Sequence, residues 1–132
     1  MTTFNLEEKR GVWFDLDGGG RVQIRLATAE TMKDILKVAG KTRIEYKRVD
    51  GKAERFVVDD VNEDLRSELF WDHVIVSWEN FFDGSGNVIP CTTEAKIRLM
   101  ARSQLFSGVV VDALKTLTEG EASAVERHAK NS

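Results

Sequence analysis

The chain carries a single cysteine and a single proline in 132 residues. Cys91 has no second thiol to pair with, so no internal disulfide forms, and a reducing, cytosolic setting is the expectation. No apolar run approaches the roughly 18 residues needed to span a bilayer. The first residues, MTTFNLEEKR, lack the apolar core of a signal peptide. Histidine is scarce as well: His73 and His128, with Cys91, give no zinc-ligand spacing. The net charge of −3 provides no general attraction to nucleic acid or to an anionic membrane.

What is present suits a globular chain. Hydrophobic residues make up 42% and charged residues 31%, enough apolar surface to build a core without metal or disulfide. Val12, Phe14 and Leu16 alternate with Trp13, Asp15 and Asp17. After Gly18-Gly19-Gly20 the alternation resumes as Val22, Ile24 and Leu26 against Arg21, Gln23 and Arg25. Period two broken by glycines reads as a β-hairpin, the glycines supplying the positive φ angles of the turn. Thr28 then caps a helix with Glu30 in its first turn and Met32, Ile35, Leu36 and Ala39 at helical spacing, stopping at Gly40. Asp50-Gly51 is a hairpin-turn dipeptide, with Ile44 and Tyr46 before it and Phe56 and Val58 after it. A second hairpin at about 42–58 is favoured, and a helix through 42–49 is the alternative.

From Val61 to Phe82 the pattern reads as helix. Phe70, Val74, Trp78 and Phe81 form one row, and Trp71, Ile75 and Phe82 another. Val74-Ile75-Val76 also suits a buried strand, but the length of the pattern favours helix. Asp83-Gly84-Ser85-Gly86-Asn87 is a loop closed by Pro90, and Thr92 caps a helix with Glu94 in its first turn. A last helix begins near Gln104, its stripe being Phe106, Val109, Val110, Ala113, Leu114 and Leu117. Thr118 with Glu121 suits a capping box that restarts it. The expected fold class is α+β: an N-terminal β-hairpin, a second hairpin at about 42–58, and a C-terminal part of three to four helices. One domain is expected over 1–132, with 1–10 and 126–132 fraying.

Several strings invite a chemical reading. Phe14-Asp15-Leu16-Asp17-Gly18 resembles the first motif of the haloacid-dehalogenase-type phosphatases, in which one Asp is nucleophile and the second an acid and base around magnesium. The likeness stops at Gly18, and two hairpins in this length leave no room for the several βα units that family needs. Asp15 and Asp17 therefore read as an acidic strand end, with a phosphatase using them as the remote alternative. Neither the Asp15 nor the Asp83 stretch completes a calcium loop. No Gly-Lys-Ser/Thr follows the triple glycine, so it is not a phosphate loop. No local group orients Cys91 with His73 or His128 as nucleophile and base, and His73 sits among apolar neighbours as a hydrogen-bonded core residue. A mildly basic arm at 41–55 faces an acidic stretch at 59–72 in sequence. With Tyr46 as its one ring, the arm lacks the aromatics for base stacking. No catalytic, cofactor or metal residue is expected.

The segment from Val74 to Met100 is similar to a recurrent pattern in tail assembly chaperones of long-tailed phages. Trp78-Glu79, Gly86, Ile89-Pro90, Thr92 and Leu99-Met100 fill its slots, although Ala95 stands where that family often has Asn. Phe106 and the stripe after it resemble the family's last helix. The resemblance implies a non-catalytic protein of the host cytoplasm, absent from the mature virion. It would bind the long helical tape measure protein, keep it soluble and help recruit tail tube protein. Apolar side chains left exposed on the last two helices would form the contact, with Phe106 and Val110 as candidates. Trp71 and Trp78 are candidate aromatic anchors, although at helical spacing core packing is their commoner role. Homo-oligomerisation is a further expectation. A structural component of a phage particle, or a cytosolic interaction module, is the competing reading.

Overall fold

A computed structural model describes residues 10–130, with side chains to residue 121. The fold is α+β. Its residues gather into two compact units, one from the two ends of the chain (to Leu26, and from Trp71) and one from Ala27–Phe70 between them.

The first unit is built on a three-stranded antiparallel sheet ordered β1-β2-β5, with β1 Val12–Asp15, β2 Arg21–Ile24 and β5 Ile75–Glu79. Gly18 and Gly19, both at φ +92, make the β1–β2 turn as expected. Pairing sets Phe14, Val22 and Trp78 side by side on one face, and Asp15, Arg21 and Glu79 on the other. Cross-strand neighbours share a face because side chains alternate along a strand. The apolar face meets helix α4 (Gln104–Lys130), which also packs on α3 (Thr93–Arg102). Val22, Ile24, Val74, Ile75, Trp78, Phe106, Val110 and Ala113 are buried and form this core.

Two expectations are corrected here. The pattern from Val61 is not one helix: α2 covers Glu63–Val74, and β5 follows without a linker. The chain changes to strand because β2 offers a free edge. Arg25 holds the junction, its backbone N–H donating to the Val74 carbonyl (3.0 Å) and its Nε to the His73 carbonyl (2.7 Å). Nor does Thr118 restart a helix. α4 runs through it unbroken, and the Thr118 hydroxyl donates back to the Leu114 carbonyl at 2.8 Å. Of the fraying expected at 1–10 and 126–132, residues 1–9 and 131–132 lie outside the described ones, and the α4 backbone is helical to Lys130.

The second unit holds helix α1 (Ala29–Ala39), the ribbon β3 (Gly40–Val49) and β4 (Lys52–Val61), and most of α2. Thr28 caps α1, its hydroxyl oxygen accepting from the Thr31 N–H at 3.1 Å, and Gly40 ends it as expected. The hairpin forms and is longer than the sequence suggested. Ten-residue strands pair in continuous register around Asp50 (φ 53) and Gly51 (φ 80). Two successive positive φ angles make the mirror-image turn that matches strand twist. Asn62 then caps α2, its Oδ1 accepting from the Leu65 N–H at 3.1 Å.

Candidate partner-binding loop

The loop after β5 is braced at several points along its length. Asn80 takes a left-handed conformation (φ 59) and donates from Nδ2 to the Gly19 carbonyl at 3.2 Å, tying the loop to the β1–β2 turn. Asn tolerates this backbone better than most residues. Asp83 then organises the tip: its Oδ1 accepts from the Ser85 N–H (2.9 Å) and the Asn87 N–H (3.0 Å). Backbone bonds from Asp83 N–H to the Asn87 carbonyl (2.8 Å) and from Ile89 N–H to the Phe81 carbonyl (2.8 Å) close the two limbs. A carboxylate accepting from the backbone two and four residues on is the usual reason Asp starts such turns.

Three rings support the loop from below. Trp78 stacks on Phe81 with centroids 5.1 Å apart, and Phe106 meets both edge-on at 5.9 and 5.8 Å. The Trp78 indole donates to the Ile89 carbonyl at 2.7 Å, so the closing limb hangs from the core tryptophan. Gly20 is buried where a Cβ would lie 3.0 Å from the Phe81 ring, and a side chain there would displace that ring.

On the outside, Phe82 and Val88 sit opposite each other in an antiparallel bridge, 57% and 66% exposed. Directly opposed residues carry Cβ atoms about 5 Å apart, so the two form one apolar knob. Sequence reading missed both. Once residues 74–82 are taken as helix, Phe82 falls on a buried row. The signal that locates it is Asp83 four residues before Asn87, which turns the chain back.

The predicted contact residues lie elsewhere. Trp78 and Phe106 are brought together, but as the loop's support. Phe106 is 4% exposed and Val110 fully buried, so neither offers surface, and this corrects the expected exposed stripe. The stripe is apolar because it covers the sheet. Among the described side chains of α4, Leu105 and Val111 are the exposed large apolar ones. Trp71 is half-buried on α2.

The α3 end of the unit contains a buried lysine. Lys96 Nζ donates to the Asp72 carbonyl (3.0 Å) and to its Oδ1 (3.2 Å), while the Thr93 hydroxyl donates to the same Oδ1 (2.7 Å). Partial burial pushes the Asp72 carboxyl up. Bonds from Thr93 and Lys96 and the charges of Lys96 and Arg25 outweigh it, and the net shift is downward.

The remaining candidates find ordinary roles. Asp15 stands opposite Arg21 on the exposed sheet face, where Arg21 bonds Glu79 (2.7 Å) and lies 4.2 Å over the Trp13 ring. This is a cross-strand charge ladder. Asp17 is exposed in the turn. Burial pushes the half-buried Cys91 thiol up, away from the thiolate a nucleophile needs. The His128 side chain lies outside those described. Among the described residues no group of three or more His, Cys, Asp or Glu is placed to hold a metal ion, and no helix is long and apolar enough to cross a membrane. No family model, curated protein or solved structure matches the chain.

Proposed function

We propose that the chain is a non-catalytic tail assembly chaperone of a long-tailed phage, holding the apolar, helical tape measure protein in solution until tail tube protein surrounds it. The observation that carries this reading is the Phe82–Val88 knob, presented by a loop braced at Asn80, Asp83 and Trp78. An exposed aromatic on a pre-ordered support loses little entropy on binding, and such residues anchor interfaces. The knob lies inside the segment that resembles the chaperone pattern. Covering apolar surface on the partner removes the species that aggregates. The protein would act in the host cytoplasm and leave before the particle matures.

The test is co-expression with the tape measure protein of the same tail. The wild type should raise the partner's soluble fraction several-fold and co-elute with it. Phe82→Asp should abolish both while leaving the far-UV circular dichroism spectrum unchanged, because the side chain it replaces is exposed. A tape measure protein equally soluble alone, with no complex on a sizing column, overturns the proposal. Recovery of the protein from purified mature particles favours a structural role instead.

A further inference from the structure

The β3–β4 ribbon leaves both outer edges without a strand neighbour among the described residues. Natural edge strands are protected by proline, by bulges or by charge, because a bare edge pairs with another strand. The ribbon has neither of the first two. The only proline is Pro90, and the register runs unbroken from Gly40↔Val61 to Val49↔Lys52. Charge protects one edge only. β3 carries Lys41, Arg43, Lys47 and Arg48 against Glu45, so two copies of it repel. β4 is mixed, with Lys52, Glu54 and Arg55 near the turn and Asp59 and Asp60 near the base.

Turn geometry decides which backbone groups face outward on β4. In a two-residue hairpin the flanking pair, here Val49 and Lys52, exchanges both hydrogen bonds, and bonded pairs then alternate. Ala53, Arg55, Val57 and Asp59 therefore point their N–H and C=O groups away from β3. Their side chains share one face with Ile44 and Tyr46. Val57, at the centre of this edge, is 64% exposed.

We propose that β4 pairs antiparallel with β4 of a second copy of this chain about a two-fold axis at Val57. This register puts Arg55 of each copy opposite Asp59 of the other, and Ala53 opposite Val61. The result is a four-stranded sheet, β3-β4-β4-β3, whose one face joins Ile44, Tyr46 and Val57 of both copies into a single apolar strip. On its other face Glu54 stands directly opposite Asp60 of the second copy, an unfavourable pair that also occurs twice. Both acids have basic neighbours on β3: Lys47 opposite Glu54, and Arg43 bonded to Asp60 at 3.1 Å. A two-fold contact uses the same patch twice, so each favourable pair occurs twice. The dimer does not depend on the tail-assembly reading and uses other residues.

The test is sedimentation equilibrium of the full chain, combined with a charge swap. The wild type should dimerise. Arg55→Asp alone, or Asp59→Arg alone, should weaken the dimer about tenfold or more, since both symmetry-related pairs become repulsive. The double variant should restore it. Val57→Cys, made with Cys91→Ser, should form an interchain disulfide on mild oxidation, because bonded cross-strand pairs place Cα atoms about 5.5 Å apart. Tyr46→Cys in the same background, on the basic edge, should form no interchain disulfide. A wild type that remains monomeric throughout the concentration range overturns the proposal. So does a dimer that neither single reversal weakens, or a double variant no tighter than the singles with its circular dichroism intact.

Discussion

Replacing Lys96 with methionine isolates the joint between α2 and α3. The substitution keeps the unbranched apolar stem, so packing is largely retained, and removes only the ammonium. What is lost are the bonds to the Asp72 carbonyl and Oδ1, at 3.0 and 3.2 Å. A bond to a charged group contributes about 1.5–3 kcal/mol net. The Asp72 side chain is 38% exposed, so water replaces part of that interaction, and the expected loss is about 1–2 kcal/mol at neutral pH. The pH dependence supplies a second readout. The folded Asp72 carboxyl titrates below its unfolded value of about 3.9. Its contribution is therefore present above that pH and is lost as pH falls through the lower, folded value. In Lys96→Met the lysine's bond and charge are gone, leaving the Thr93 bond and the Arg25 charge to oppose burial, so acidification takes a smaller contribution away. The stability gap between the two proteins should be full at pH 7 and shrink toward pH 3. Urea unfolding followed by tryptophan emission measures it, since Trp13, Trp71 and Trp78 all belong to the unit that contains the joint. A gap below about 0.3 kcal/mol at neutral pH, or one constant down to pH 3, refutes the argument.

Further substitutions test other joints. Trp78→Phe keeps a ring against Phe81 and Phe106 but strands the Ile89 carbonyl, and should cost about 1–3 kcal/mol in the same assay. In Gly40→Ala the new Cβ would lie 2.6 Å from the Leu36 carbonyl oxygen, so the second unit should lose about 1–3 kcal/mol, measured by Tyr46 fluorescence during urea unfolding. Asn62→Ala removes the α2 cap and should destabilise by about 1 kcal/mol in thermal melts, whereas Asn62→Asp should be close to neutral.

Local chemistry was legible wherever it is self-contained. Thr28, Gly40, Asp50-Gly51 and Thr92 act within a few residues of chain, and each does what its position suggests. Sequence reading failed where a distant partner decides. Val74-Ile75-Val76 carries no Gly or Pro to mark the change from helix to strand. Trp78 and Phe81 fall at helical spacing because a strand end followed by a left-handed Asn happens to bring their rings together. β2, about fifty residues earlier, settles the matter by pairing. The α4 stripe was readable as helix. That its apolar side covers a sheet and leaves Phe106 and Val110 inaccessible depends on tertiary packing. Phe82 and Val88 were hidden for the same reason, and so was Lys96, whose charge gave no hint of burial.

The middle segment, Ala27–Phe70, interrupts the sheet-bearing unit between β2 and β5. This sets an order on synthesis. β1 and β2 leave the ribosome as a bare hairpin, and the strand that completes their sheet is still untranslated. At typical elongation rates the interval is roughly 3 to 10 s, long compared with the microseconds in which a hairpin forms. The covering helix α4 comes later still. The intervening segment has the local contacts to fold during that wait, while Val22 and Ile24 remain uncovered. Nascent chains of this protein therefore pass through a stage in which the most buried strand of the finished molecule is among its most exposed.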